Sequence, residues 1–281
     1  MSHIITNDEY YKNISNILRE RLGTDYHYYP AEMPDAIRRI PQSIAGVDDV
    51  VTGIYLYNHD DEGYPTKLKV VGWGSFIDTT YKNNFAMEKL KTRLQEVEFF
   101  NCSFTKIADN AFDGLAKISS IEIPDTVTYI GNRALNECNN LTSFNFPDSV
   151  TGTGHGVFRN CRNLINVHIS NNIVKLSSEL FVYDSLLKTV NIPASVKTIG
   201  SGVFLDCRSL QFVELGQGFN ANGLDLSASN SYTRETILQW LNALANRTGE
   251  TTYKLTIGAT NLKKLTEEDI AIATAKNWTL A

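Results

Sequence analysis

The chain has 281 residues, which is enough for one large domain or two ordinary ones with a sizeable buried core. Its 26 lysines and arginines against 31 aspartates and glutamates give a net charge of −5, which disfavours nucleic acid and acidic membrane surfaces as partners. No apolar run approaches the roughly 18 residues of a membrane span, and residues 1–12 lack the features of a signal peptide. We therefore expect no membrane insertion, and a protein that is virion-associated or cytoplasmic as made, or surface-exposed by another route.

Residues 1–44 are predicted to form a helical segment. Thr6 and Glu9 have the spacing of a capping box, and apolar residues then recur at helical spacing until Gly23. A second short helix is expected after Pro34. The stretch ILRERLGTDYHYYPAEMPDAIRRI is similar to a short segment at the start of many phage and prophage tail-associated proteins. That resemblance implies virion partners for the N-terminal helices.

Residues 45–105 are predicted to form a β-hairpin cap and an irregular first rung. Alternating apolar residues place Ile54 and Leu56 opposite Leu68 and Val70, across a polar turn. Such a hairpin would seal the open end of the core that follows. The rung after it has apolar residues nearly in phase with the later repeats, at Leu94, Val97 and Phe99.

Residues 106–219 contain five consecutive units of 23 residues without an insertion. Two apolar positions in each unit are separated by one polar residue, which is strand spacing, and a proline often follows. The most regular columns are Phe112, Leu135, Phe158, Phe181 and Phe204; Ile118, Leu141, Leu164, Leu187 and Leu210; and Ile121, Phe144, Val167, Val190 and Val213. One unit cannot bury its own apolar face, so neighbouring units must stack. The predicted fold class is an α/β repeat solenoid with short parallel strands.

The repeat sequences resemble a known family. The strings IPDTVTYIG, FPDSVTGTG and IPASVKTIG, joined by AFDGLAKI, VFRNCRNL and VFLDCRSL, are similar to BspA-like leucine-rich repeats of bacterial surface and host-associated proteins. Three positions depart from the repeat pattern, because Asp184 stands in the cysteine column, Ser170 replaces a proline and Thr153 replaces an aliphatic residue. The resemblance implies a leucine-rich repeat fold, loosened locally at these positions.

Residues 220–281 are predicted to form an α/β cap that continues the repeat sheet. One helix is expected to begin near Thr233, and a second has a capping pair at Thr266 and Asp269 and is expected to bury Ile270. Three strands alternate with these helices, around residues 224–226, 255–257 and 278–280.

The sequence contains no motif for catalysis, nucleotide binding or zinc binding. The hairpin turn begins like a calcium loop, but Lys69 stands where the loop needs its final acid. Cys138, Cys161 and Cys207 lack the close spacing of a metal or redox site and are predicted to be buried, reduced and slow to react. We expect no catalytic residue, no metal and no cofactor.

The candidate binding surface is the outward side of the repeat strands. Stacked strands bring equivalent side chains about 4.8 Å apart, so the polar residues between core positions form a ladder. Phe212 is the large aromatic residue in that ladder and the best candidate for an anchor. The predicted ligand-binding residues are Glu122, Asn145, Asn166, His168, Asn191, Phe212 and Glu214. Extended faces of this kind suit a protein or glycan on a cell surface.

Three functions remain open on the sequence alone. The N-terminal segment favours adhesion or protein interaction as part of a phage or prophage tail. The repeats favour a bacterial cell-surface adhesin of the BspA type, although the sequence shows neither a signal peptide nor a wall anchor. An enzyme on a solenoid scaffold is the least favoured, because it needs a cluster of convergent polar groups that the sequence does not supply.

Overall fold

The computed structural model describes residues 53–59, 65–71, 93–100, 102 and 104–281. The predicted N-terminal helices and the turn of the hairpin lie outside these residues. No helix in the described ranges combines the length and the apolar character needed to cross a membrane.

The predicted hairpin and first rung form one three-stranded sheet. Strand β1 (Gly53–His59) pairs antiparallel with β2 (Pro65–Val71), which pairs in parallel with β3 (Glu96–Phe100). The backbone register confirms the predicted partners, Ile54 with Val70 and Leu56 with Leu68.

Each of the last four repeat units contributes one strand to a four-stranded parallel sheet. The strands are β6 (Ser143–Asn145), β8 (Asn166–His168), β10 (Thr189–Ile192) and β12 (Phe212–Leu215), in that spatial order. The strand expected around Glu122 is not formed, although the apolar residues on either side of it are buried. The backbone ladder opens at this step, because Thr142 N lies 3.5 Å from Ser119 O, at the long limit of a hydrogen bond.

The repeat region also contains a set of shorter strands that the sequence analysis did not predict. Each is two residues long and contributes little alternation for a sequence pattern to detect. Two parallel sheets result: β4 (Lys106–Ile107), β5 (Tyr129–Ile130) and β7 (Gly152–Thr153), and separately β9 (Lys175–Leu176) with β11 (Thr198–Ile199). Between β7 and β9, the buried hydroxyl groups of Thr153 and Ser177 lie 3.2 Å apart.

The repeat columns form one continuous buried core, as the solenoid prediction requires. Leu164 and Leu187 are fully buried in adjacent units. The rings of Phe158 and Phe181 stack with centroids 5.6 Å apart, and those of Phe181 and Phe204 stack at 5.5 Å. The 23-residue period is therefore the physical repeat of the structure.

The C-terminal part alternates strands and helices as predicted. Thr233 caps the first helix by accepting a hydrogen bond from Thr236 N, and Thr266 and Asp269 form the predicted capping box. The elements are β13 (Leu224–Asp225), α1 (Arg234–Ala243), β14 (Tyr253–Thr256), α2 (Ala259–Leu262), α3 (Glu267–Ala275) and β15 (Trp278–Leu280).

Three expectations for this part were wrong. The cap contains a third, short helix, α2, and its strands form a separate three-stranded parallel sheet rather than extending the repeat sheet. Ile270 is exposed instead of buried. The inward position on α3 is taken by the adjacent Asp269, whose carboxylate accepts two hydrogen bonds of 2.7 Å from Arg234 on α1. Successive helical residues point about 100° apart, so burying Asp269 turns Ile270 outward.

Candidate functional site

The four-stranded sheet presents the predicted polar ladder on its outward side. Strand register places Asn145 opposite His168, and Asn166 and Phe212 on either side of Thr189. Among the predicted residues, the exposed ones are Glu122, Asn145, Asn166, His168, Phe212 and Glu214. Of these, Glu122 lies outside the four-stranded sheet because no strand forms around it.

Asn191 is half-buried and differs from its neighbours. Its side-chain amide donates to Ile169 O at 2.9 Å and accepts from Ile169 N at 2.7 Å. Strand β8 has already ended at His168, so this amide replaces the ladder bonds that the backbone no longer makes. Both polar atoms of Asn191 are therefore occupied by the fold, which leaves the other predicted residues as the ones open to a ligand.

Phe212 lies at the start of the last strand of the sheet, with 61% of its surface exposed. Its backbone N donates to Lys188 O at 3.0 Å, which fixes the strand while the ring faces outward. Helix α1 covers the free edge of β12, where the Trp240 indole N–H donates to Val213 O. A rigid strand and a packed helix thus hold an unburied aromatic ring.

Three further exposed apolar residues belong to the same two repeat units as Phe212 and its neighbouring strand, and they were not predicted. Leu205 is 52% exposed, Leu186 43% and Tyr183 38%. Tyr183 N donates to Leu205 O at 2.9 Å, so these two belong to adjacent rungs. Leu186 lies three residues before Thr189, and Thr189 pairs with Phe212 across the sheet. We name Tyr183, Leu186, Leu205 and Phe212 the C-terminal apolar patch.

The sequence carried a signal for this patch. The residues equivalent to Tyr183 in the other units are Gly114, Glu137, Asn160 and Asp206, and those equivalent to Leu186 are Lys117, Asn140, Asn163 and Ser209. An apolar residue in an otherwise polar outward column is not required by the core. Such interruptions of a repeat column could have indicated the patch before the structure was known.

Two ion pairs lie beside Tyr183 and Leu205. The Arg159 guanidinium lies 5.0 Å from the centroid of the Tyr183 ring and pairs with Glu179 at 2.8 Å. On the next rung Arg208 pairs with Asp206, also at 2.8 Å. An apolar centre with a polar, charged rim is the usual anatomy of a protein-binding surface.

Comparison with known proteins identifies the repeats. Residues 105–225 match the family model described as BspA type leucine rich repeat region, in six copies. These repeats are of the BspA type. The match confirms the family resemblance and counts one copy more than the five units found in the sequence.

Several solved bacterial leucine-rich repeat proteins are similar to the chain. The T. pallidum leucine rich repeat protein is 20% identical, with 72% of this chain and 95% of that chain covered and a TM-score of 0.43. A leucine rich cell surface protein from Faecalibacterium prausnitzii is 18% identical, with coverages of 55% and 57% and a TM-score of 0.31. One from Bacteroides ovatus is 18% identical, with coverages of 67% and 70% and a TM-score of 0.29. A search of curated proteins found no match.

The cysteines of the BspA-type repeats form a buried thiol ladder, which we define as Cys138, Cys161 and Cys207. All three are free and buried, and burial raises the pKa of each thiol. Each Sγ donates to a backbone carbonyl 26 residues earlier: Phe112 O at 3.3 Å, Leu135 O at 3.0 Å and Phe181 O at 3.0 Å. Within the described residues, no three His, Cys, Asp or Glu side chains are placed to hold a metal ion.

Proposed function

We propose that this protein is a non-enzymatic recognition protein that binds a partner protein through the outward face of its last two repeats. The C-terminal apolar patch carries the proposal. The BspA-type repeat family supports a protein-interaction or adhesin role. The proposal adds where on the solenoid the contact is made.

The patch has the composition expected of an interface centre. Aromatic residues are enriched at such centres, and binding energy concentrates in a few of them. Phe212 is the most exposed large apolar residue described, and its backbone is fixed by the sheet. A partner that covers its ring gains apolar burial without the entropy cost of ordering a loop.

Two settings fit this function. The first is a component of a phage or prophage tail, which the resemblance of residues 1–44 favours and in which those residues would attach the protein to the virion. The second is a bacterial cell-surface adhesin, which the BspA-type repeats favour. Antibody labelling of virions and of intact cells from the source organism distinguishes them, because the label is expected on particles in the first setting and on cell envelopes in the second.

A binding titration of folded variants against host cells or isolated envelope proteins and glycans tests the proposal. Phe212→Ala is expected to weaken attachment by roughly 1–3 kcal/mol, a typical loss for an aromatic anchor. Its stability should change little, because the ring is exposed and outside the core. Ser143→Ala, on the same sheet three strands away, is the matched control and should leave affinity unchanged.

Two outcomes would contradict parts of the proposal. Unchanged affinity for Phe212→Ala, together with lost affinity after removal of residues 1–40, would move the function to the N-terminal segment and make the repeats a spacer. Attachment that survives digestion of envelope proteins but not of envelope glycans would keep the surface and replace the protein partner by a carbohydrate.

A further inference from the structure

The position of Asp184 in the thiol ladder is chemically unusual. In the 23-residue repeat it stands between Cys161 and Cys207, and it is fully buried. A thiol at this position is neutral and donates its proton to a carbonyl oxygen 26 residues earlier. For Asp184 the equivalent oxygen belongs to Phe158. An ionised carboxylate has no proton to donate and would add a negative charge to an apolar core.

Hydrogen bonds within the described residues satisfy one of the two carboxyl oxygens of Asp184. Oδ1 accepts from Cys161 N at 2.8 Å. Oδ2 is buried and has no hydrogen-bond partner among the described residues. A carboxylate oxygen without a donor is poorly accommodated in the core, whereas the O–H of a protonated carboxyl can donate to a carbonyl as the thiols do.

Among the described residues, no cationic side chain pairs with Asp184. The ionisable groups that flank it are the thiols of Cys161 on the preceding rung and Cys207 on the following one. Asp206 lies next to Cys207, and Tyr232 of the cap lies beyond it. All of these are neutral or negative, so none favours ionisation.

We propose that Asp184 is a neutral carboxylic acid in the folded protein, and that its ionisation is a pH-sensitive switch of the turn that carries half of the C-terminal apolar patch. Asp184 lies directly after Tyr183 and two residues before Leu186. Its N–H donates to Phe181 O at 3.2 Å, and its carbonyl accepts from Leu187 N at 3.0 Å. Once ionised, the Asp184 side chain lowers its free energy by moving outward to water. This movement breaks these two hydrogen bonds and displaces Tyr183 and Leu186.

The direction of the pH effect follows from burial, which raises the pKa of Asp184 well above its usual value. The folded state therefore holds this proton more tightly than the unfolded state. The proton on Asp184 stabilises the turn in full at pH values below the ordinary pKa of aspartate. This stabilisation is lost as pH rises through the raised pKa of Asp184. The link to partner binding rests on the proposed function, but the switch of the turn does not.

The test compares the full-length protein with two variants that cannot ionise in this range. Asp184→Cys restores the residue of the other rungs, and Asp184→Asn is the neutral carboxamide of the same shape. Infrared difference spectra at neutral pH should show the C=O band of a protonated buried carboxyl in the wild type and lose it in both variants. Absence of that band in the wild type would overturn the proposal.

Hydrogen exchange of the amides of residues 183–187 tests the switch itself. The ratio of wild-type to Asp184→Cys exchange rates removes the intrinsic pH dependence of exchange. We expect this ratio to rise by up to about tenfold per pH unit between the ordinary pKa of aspartate and the raised pKa of Asp184. A ratio that stays constant across the pH range would refute the switch.

Neither measurement needs a partner, so the two proposals fail separately. If Phe212→Ala binds normally while the infrared band and the exchange ratio behave as stated, the proposed binding surface is wrong and the Asp184 switch stands. If the band and the exchange effect are missing while Phe212→Ala binds weakly, the switch is wrong and the surface stands.

Discussion

Removal of the middle phenylalanine of the stacked column is the sharpest perturbation of the solenoid. Phe181 is fully buried, and its ring stacks on Phe158 at an interplanar angle of 15° and on Phe204 at 14°. A buried Phe→Ala change costs about 3–5 kcal/mol. Phe204 stacks on one ring of this column and Phe181 on two, so Phe181→Ala should cost about 0.5–1.5 kcal/mol more than Phe204→Ala, the value of one aromatic pair.

Urea unfolding followed by far-UV circular dichroism and by tryptophan fluorescence measures these losses. The milder change Phe181→Leu suits double-mutant cycles, because the second unit already has a leucine, Leu135, at the same position of the repeat. Leucine changes at Phe158 and Phe181 should couple by about 0.5–1.5 kcal/mol. The same changes at Phe158 and Phe204, which are two rungs apart, should be additive within about 0.5 kcal/mol.

The two cycles decide whether the repeats interact as nearest neighbours. A solenoid predicts coupling between adjacent rungs and additivity beyond them. Equal coupling in both cycles would refute that reasoning, because it would mean that the column behaves as one globular core. A Phe181→Ala variant as stable as the wild type would refute the stacking argument itself.

Three other predictions can be checked on the purified protein. The thiol ladder should react slowly with a thiol reagent when folded and fast in denaturant, since burial disfavours the thiolate; rapid labelling of all three without denaturant would contradict this. Trp240→Phe should lower the unfolding free energy by about 1–3 kcal/mol in urea titrations, because Val213 O loses its indole donor; an unchanged midpoint would argue against that bond. Above the ordinary pKa of aspartate, the unfolding free energy of the wild type should fall with pH by up to about 1.4 kcal/mol per unit relative to Asp184→Cys, and parallel curves would count against a protonated Asp184.

The sequence predicted the features that depend on periodic burial. The 23-residue columns were readable because every rung needs an apolar side chain at the same place, and Leu164 and Leu187 are indeed fully buried. The hairpin register was readable for the same reason, since alternation fixes which residues face each other. The caps at Thr233 and Thr266 follow from side-chain chemistry that is local to a few residues.

Features that depend on neighbours outside the local sequence were missed. Ile270 looked like a core residue until the ion pair between Arg234 and Asp269 decided which side of α3 faces inward. Asn191 looked like a ligand contact, but its amide completes the backbone bonding of the preceding strand. The apolar patch spans two rungs, and the strand pattern alone indicates just Phe212.

The central claim is that partner binding covers the C-terminal apolar patch, and side-chain footprinting measures this without any mutation. Hydroxyl-radical oxidation of Tyr183, Leu186, Leu205 and Phe212 should slow when the protein is bound to its host envelope preparation, while the oxidation of the exposed Ile270 in the cap should not change. Protection that is absent from the four patch residues and appears instead in residues 1–44 would contradict the claim.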